Sequence, residues 1–368
     1  MLPAPPKSLG RLGDVLISAL ASTQGLANPL GLTARRSVCV VLVDGLGSHN
    51  LTKAAGHARF LNSQTSAVAS TWFPSTTSSS ISSFATGKHP SDIGFLGYQV
   101  FNPKTKLAMN LLSGWKDFDE GEQFQSQRTV AEQAVSSGIE THAIAPSSYE
   151  RSGFTGATMR GAKYHGHDAI SERFQAAKRL LMDPVPKLLY LYIPELDQIA
   201  HGFGSNSLNW LNVLEDVDAQ LSVFAKDLPK STGSILTSDH GVIDIAKNSH
   251  IFLDDLLPTD IVDFVGGDTR APFVYLNSKT DLAKVRVVLE DSLEDYAYIT
   301  TPTQLVESGY WTSSSLGFDW TPDLVIIAKK EIAFYHRAFA KKKSLEMVAH
   351  HGALTANEMS IPLITFGF

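Results

Sequence analysis

Residues 37–47 read SVCVVLVDGLG, and the rest of the chain is read from this stretch. An unbroken run of β-formers, Ser37–Val43, has no polar face. It therefore suits a central parallel strand covered on both sides. The run stops at Asp44, followed by Gly45-Leu46-Gly47. A polar residue there lies at the C-terminal end of its strand, the edge at which open α/β sheets place their sites.

The same pattern recurs downstream. His142–Pro146 reads as a strand after a helix that opens on the capping box Thr129-Val130-Ala131-Glu132 and stops near Gly138. Lys187–Pro194, KLLYLYIP, is a second fully apolar run and leads into Glu195-Leu196-Asp197. Leu208, Leu211, Leu214, Val217, Leu221 and Phe224 place one apolar stripe on a helix over 207–228. Gly233–Thr237 is a third strand and leads into Ser238-Asp239-His240-Gly241. Strands alternating with helices predict an α/β fold, a mostly parallel central sheet with helices on both faces. Before it, residues 1–36 read as an arm with one amphipathic helix near Leu9–Ala21. Between 245 and 320 the rhythm changes: Pro272–Leu276 and Ala297–Thr300 read as strands and Asp281–Asp291 as a helix, a small α/β cap inserted into one catalytic domain of 1–368. Asp323–Ala328 and Ile361–Phe366 are expected to return to the core.

With 368 residues, 43% hydrophobic and 18% charged, the chain has the composition of a globular protein with a large core. A formal charge of −6 argues against a nucleic-acid polymer as partner and leaves room for a small anionic substrate beside a metal ion. The single cysteine, Cys39, excludes internal disulfides and any thiolate metal cage, and reads as a packing residue. The first twenty residues carry three prolines and Asp14 and lack a continuous apolar segment, and no stretch reaches the roughly 20 apolar residues of a membrane span. The expectation is a cytoplasmic protein without a membrane partner; nothing in the sequence sets its oligomeric state.

Residues 73–98, FPSTTSSSISSFATGKHPSDIGFLGY, place six consecutive hydroxyls, Ser75 to Ser80, at the start of a short helix that ends at Gly87. A helix N-terminus favours bound anions such as phosphate, although a Ser-rich helix cap looks the same. Acid and imidazole groups follow the other strands: Asp44; Asp197 with His201, four apart and so on one helical face; Asp239-His240; and the late His350-His351-Gly352 with Glu358 behind it. Singly, each has a plain alternative, since an Asp after a strand is often an N-cap. Together they are carboxylates and imidazoles that one sheet edge can gather, a set suited to Zn2+, and to Mn2+ or Fe2+ after it, but not to the all-oxygen shells of Ca2+ or Mg2+.

In this order the motifs LVDGLG, PSTT…ATGKHP, PELDQIAHGFG, TSDHG and HHGALTANEMSIPLI resemble the alkaline phosphatase superfamily, and within it the type I phosphodiesterase/nucleotide pyrophosphatase family, over about 37–368. The resemblance implies an alkaline-phosphatase-like three-layer sandwich and two zinc ions, one held by Asp44, Asp239 and His240, the other by Asp197, His201 and His351. It implies Thr77 as the nucleophile, nine residues before Thr86 of the Ala-Thr-Gly motif, with Thr76 the neighbour that could be mistaken for it. The chemistry fits, because Zn2+ lowers the pKa of a hydroxyl and two ions can clamp an in-line phosphoryl transfer. The implied activity is cleavage of phosphodiester or nucleotide pyrophosphate bonds through a phosphothreonine. A phosphomonoesterase, phosphonate hydrolase or phosphomutase on the same scaffold is the alternative, and a metal-stabilised binding protein without catalysis is another. The sequence departs from the family where an Asn after Gly binds the phosphoryl oxygen: Gly97 is followed by Tyr98, whose hydroxyl or the nearby Asn102 is expected to serve instead. Arg270 is read as holding the cap, Tyr164–His167 as loop, and Lys341–Lys343 as a solvated face.

Overall fold

The computed structural model describes residues 2–6 and 8–368. A seven-stranded sheet runs through the larger part, in the order Ser66–Ser70, Ser360–Phe366, Thr232–Thr237, Ser37–Val43, Lys187–Ile193, Glu140–Ala145, Lys163–Gly166. The Ser37–Val43 strand lies at the centre, parallel to Lys187–Ile193 on one side and Thr232–Thr237 on the other. Only Ser360–Phe366 runs against the rest, antiparallel to both its neighbours. The fold is the mixed α/β sandwich expected.

The apolar runs explain the layers. In the central strand Cys39, Val41 and Val43 face one layer, packed with Phe174, Leu214, Val217 and Leu221 of the helices Ile170–Met182 and Leu208–Lys226. Val38, Val40 and Leu42 face the other, packed with Leu12, Val15, Ile81, Phe84 and Val130 of the helices Leu12–Thr23, Thr77–Thr86 and Val130–Ser136. A strand lined by helices on both sides has to be apolar at every position, because successive side chains point to opposite faces.

A separate antiparallel sheet follows, in the order Val262–Asp268, Ala271–Leu276, Leu324–Ala328, Ala297–Thr300. Here the expectation for Asp323–Ala328 is corrected: this run does not rejoin the central sheet but lies between two strands of the small one. A short strand buried on both faces reads alike in either sheet, and only the pairing partner distinguishes them. Two smaller expectations also change. Leu208, at the first turn of its helix, is 77% exposed, and Trp210 takes the buried position instead. The Tyr164–His167 segment contributes an edge strand, Lys163–Gly166, parallel to Glu140–Ala145. The Thr129 capping box is present as read, with Thr129 Oγ1 accepting from Glu132 N at 3.0 Å and Glu132 Oε2 accepting from Thr129 N at 2.8 Å. Cys39 is buried, and among the described residues no helix is long and apolar enough to cross a membrane.

Candidate active site

Four segments meet at one edge of the central sheet. Asp44 follows the Ser37–Val43 strand, Asp197 and His201 lie on the helix Glu195–Phe203 after Lys187–Ile193, and Asp239 and His240 follow Thr232–Thr237. The reversed last strand completes the set. Because Ser360–Phe366 runs the other way, its N-terminal end lies at the C-terminal ends of its neighbours and delivers residues 350–359 to the same edge. Gly45, with φ +73°, permits the closest approach: a Cβ there would lie 2.9 Å from the Asp197 Cβ.

The six residues form two groups, Asp44, Asp239 and His240, and Asp197, His201 and His351, each with its donor atoms within 4.8 Å of one another. In all three imidazoles Nδ1–H is taken by a backbone carbonyl: His201 donates to Ala349 O at 2.8 Å, His351 to Ser75 O at 3.0 Å and His240 to Gly241 O at 3.3 Å. That turns each Nε2 toward its group, where, once it carries no proton, it can act as the lone-pair donor that metal-ligating histidines provide. Asp44 Oδ1, Asp197 Oδ1 and Asp239 Oδ2 are buried without a hydrogen-bond donor. Orphaned carboxylate oxygens are costly unless a cation serves them, so the donor set fits metal ions.

Electrostatics agree. Burial, then the charges of Asp239 and Asp197, push the Asp44 carboxyl well above its usual range. Burial, then His240, holds His351 well below the usual imidazole value, in the neutral form a ligand needs. The His240 and His351 rings stack at 3.9 Å. Burial disfavours charge on His201 and Asp197 as well, but their own ion pair at 3.0 Å reverses it: His201 rises to about 9 and Asp197 falls below the carboxylate range.

Thr77 is the first residue of the helix Thr77–Thr86. Its hydroxyl lies 3.1 Å from His240 Nε2, and with Nδ1 already donating, the hydroxyl is the donor. Its neighbours are engaged elsewhere: Ser75 Oγ donates to Ala353 O, Ser78 Oγ to Gly97 O and Ser79 Oγ to Phe95 O, each at 2.8 Å. Thr76 sits beside the Asp268 carboxyl. Thr77 opens the helix, so the first amide groups, which lack intrahelical partners, lie next to it.

Tyr98 donates its backbone N–H to Asp268 Oδ2 at 3.3 Å, while its hydroxyl lies against Asn110. Asn102 is not brought to the two groups. Its amide oxygen accepts from Lys104 N and Thr105 N and folds the turn of the Gln99–Asn102/Leu107–Asn110 hairpin. Arg270 bonds Glu358 through both its oxygens, at 2.7 and 2.9 Å, as a structural tie. Sequence reasoning missed three features. Asp268 is a buried carboxyl in an unremarkable Gly-Asp-Thr turn. Tyr192 donates to Asp44 Oδ2, and only its alternation with Tyr190 along the strand hints at a shared face. The third is a cavity of about 370 Å3 walled by Trp115, Tyr149, Phe154, Tyr164, Tyr190 and Tyr192, reaching Ile81, one turn beyond Thr77. Its walls come from five distant segments.

The model of one family, described as type I phosphodiesterase / nucleotide pyrophosphatase, matches residues 38–354, which include all six grouped residues and Thr77. The chain belongs to the type I phosphodiesterase/nucleotide pyrophosphatase family. A curated family relative is an uncharacterized pyrophosphatase/phosphodiesterase of Schizosaccharomyces pombe, 26% identical over 200 residues, 50% of this chain and 39% of that protein. The chain thus spans well under two thirds of the length of that relative. Among solved structures, human ectonucleotide pyrophosphatase/phosphodiesterase 5 superposes with a TM-score of 0.69 at 16% identity, over 90% of this chain and 87% of that one. An inactive variant of the murine counterpart, in complex with AMP, gives 0.67 at 17%, over 89% and 87%. Phosphonoacetate hydrolase from Sinorhizobium meliloti, in complex with phosphonoformate, gives 0.71 at 17%, over 91% of both. At these identities the structures establish the shared fold.

Proposed function

We propose that this family member is a metal-dependent hydrolase that cleaves a phosphodiester or pyrophosphate bond in nucleotide-like substrates, with Thr77 as the nucleophile. The observation that carries the reading is the Thr77 hydroxyl, 3.1 Å from His240 Nε2, at a helix N-terminus beside two three-residue donor groups. Asp44, Asp239 and His240 would hold one ion and Asp197, His201 and His351 the other, with Zn2+ best matched to these carboxylates and imidazoles. Such ions, when bound, supply the Lewis acidity that lowers a hydroxyl pKa and offsets phosphoryl charge.

The chain's own groups supply the rest. The contact with His240 places the Thr77 hydroxyl beside the group that would hold the first ion. Thr77 Oγ1 gives its proton to solvent and attacks phosphorus in line: its bond to phosphorus forms as the bond to the leaving oxygen breaks, and the leaving group departs protonated by solvent. Water attacks the phosphothreonine, releases the phosphoryl product and restores the hydroxyl. The first-turn amide groups after Thr76 offer hydrogen bonds to the non-bridging oxygens. Tyr192 holds Asp44 and also walls the aromatic cavity, so that cavity adjoins the reacting centre. About 370 Å3 lined by six aromatic rings accommodates a nucleobase by stacking and exceeds what a small phosphonoacid needs.

The test is turnover of bis-p-nitrophenyl phosphate, a dinucleotide, p-nitrophenyl phosphate and phosphonoacetate by zinc-loaded protein, with Thr77→Ala alongside. The diester or dinucleotide should be the best substrate, and Thr77→Ala should lose ~1,000-fold or more of the turnover with its metal content intact. Fastest turnover of the monoester or of phosphonoacetate would replace the substrate assignment, and undiminished activity of Thr77→Ala would end the covalent route.

A further inference from the structure

Asp268, Thr269 and Arg270 are consecutive residues at the turn between the Val262–Asp268 and Ala271–Leu276 strands of the small sheet. Each reaches the 350–358 segment, which carries His351. The Asp268 side chain packs against Gly352, where a Cβ would stand 2.7 Å from the Asp268 Cβ and where φ is +124°. Thr269 Oγ1 is hydrogen-bonded to His350 Nδ1 at 2.8 Å. Arg270 holds Glu358 through two bonds, with both side chains fully buried.

Glu358 passes the grip on. Its Oε1 accepts from Ala353 N at 3.0 Å and its Oε2 from the Thr355 hydroxyl at 2.5 Å. Arg270 is itself fixed, with Nη1 donating to Lys330 O at 2.7 Å and Ile332 O at 2.6 Å. The backbone on both sides of His351 is thereby tied to a rigid sheet that supplies no donor to either group. Among the described residues, none of the three side chains hydrogen-bonds to Asp44, Asp239 or His240; toward that group the segment offers Glu358 O, which accepts from Gly241 N at 2.9 Å.

We propose that Asp268, Thr269 and Arg270 are positioning residues: a clasp by which the small sheet sets the metal affinity of the Asp197–His201–His351 group more strongly than that of the Asp44–Asp239–His240 group. A buried ion pair contributes little net stability against an apolar replacement, but it fixes geometry, and outer partners of metal ligands tune affinity in that way. The inference rests on the two-metal reading above.

Chelator competition on the zinc-loaded full chain tests it, following metal content and, on the metal-free protein, thermal unfolding. His351→Ala marks which of the two release steps belongs to its group. Thr269→Val keeps the side-chain volume and removes only the hydroxyl, and Arg270→Lys keeps the charge and loses the fork. In both, the step marked by His351→Ala should shift to ~10-fold weaker metal binding or beyond, with the other step shifting clearly less and Thr269→Val unfolding near the wild-type temperature. Two unmoved steps in folded Thr269→Val overturn the clasp, and so does an equal shift of both steps, which marks general loosening. A wild-type chain that binds no zinc, or one ion, sinks the two-metal reading and the clasp with it; that failure shows in the wild type alone.

Discussion

A threonine hydroxyl gives up its proton reluctantly, so its surroundings decide whether it reacts. Around Thr77 the hydroxyls of Ser75, Ser78 and Ser79 are occupied by carbonyls and that of Ser80 by Thr71, while His240 Nε2 faces the Thr77 hydroxyl. Tyr192 is the nearest support: its hydroxyl donates to Asp44 Oδ2. Tyr192→Phe should therefore weaken zinc at the Asp44 group by ~10-fold and leave the fold intact, as read by metal competition and circular dichroism. Asp268 offers a test by pH. Burial pushes its carboxyl up to about 7, so between about pH 4 and 7 the folded state keeps a proton that the unfolded chain has released. Stability of the metal-free protein should fall across that window, by on the order of 4 kcal/mol from this group, and Asp268→Asn should flatten the fall in denaturant titrations at stepped pH. A steep, unchanged decline in Asp268→Asn would assign it to other groups. At this scale the sequence was informative where a residue follows a strand or shares a helical turn: Asp44, Asp197, His201, Asp239 and His240 all lie where their spacing puts them. It was silent on Asp268, whose partner Gly352 is 84 residues away in the chain, and it misjudged Asn102, because an Asn near a turn is as apt to fold the turn as to face a ligand.

Elements place these residues, and one strand direction matters most. Had Ser360–Phe366 run parallel to Thr232–Thr237, the segment before it would sit at the opposite edge, and His351 could not join Asp197 and His201. Its direction was not legible, because an apolar run has the same pattern read either way. The central strands were legible, since burial on both faces demands continuous apolar sequence, and so were helix starts that rest on local chemistry. Thr129 is the clearest of these. Beyond its exchange with Glu132, its hydroxyl donates to Arg160 O at 2.6 Å and so ties the Val130–Ser136 helix to a neighbouring loop. Thr129→Ala should cost about 1 to 2 kcal/mol in urea unfolding, with metal content and turnover per folded molecule unchanged, because the cap bonds Glu132 and Arg160 and none of the grouped residues. A loss of metal in this variant would mean that the helix on that face helps to shape the site.

For the whole molecule, the carboxylates gathered at the site are a cost to the folded chain that bound cations would offset. Three carboxylates converge there, one driven well above its usual range by burial and by the other two, with buried oxygens that nothing donates to. A fold that gathers such groups is stabilised by what binds them, and the gain follows mass action: about 2.7 kcal/mol per ion at a hundredfold excess over its dissociation constant. For two ions in a chain of 368 residues, chelation should lower the melting temperature on the order of 5 to 10 °C. The size of that drop should depend on pH, with a sign that can be worked out. In the metal-free state the Asp197 carboxylate holds His201 protonated up to about pH 9, whereas in the unfolded chain it titrates near 6.5. The raised value contributes stability that is complete below 6.5 and is lost as pH climbs to 9. With an ion bound, His201 Nε2 would be a ligand without a proton, and the loaded protein should lack that dependence. The gap between the two melting temperatures should therefore widen from pH 6.5 to 9, and His201→Gln should remove most of the widening by abolishing the group that titrates. Calorimetric scans of loaded and chelated protein at stepped pH decide the matter: a gap that stays constant or narrows over that range would mean that the cations do not take the place the His201 proton leaves.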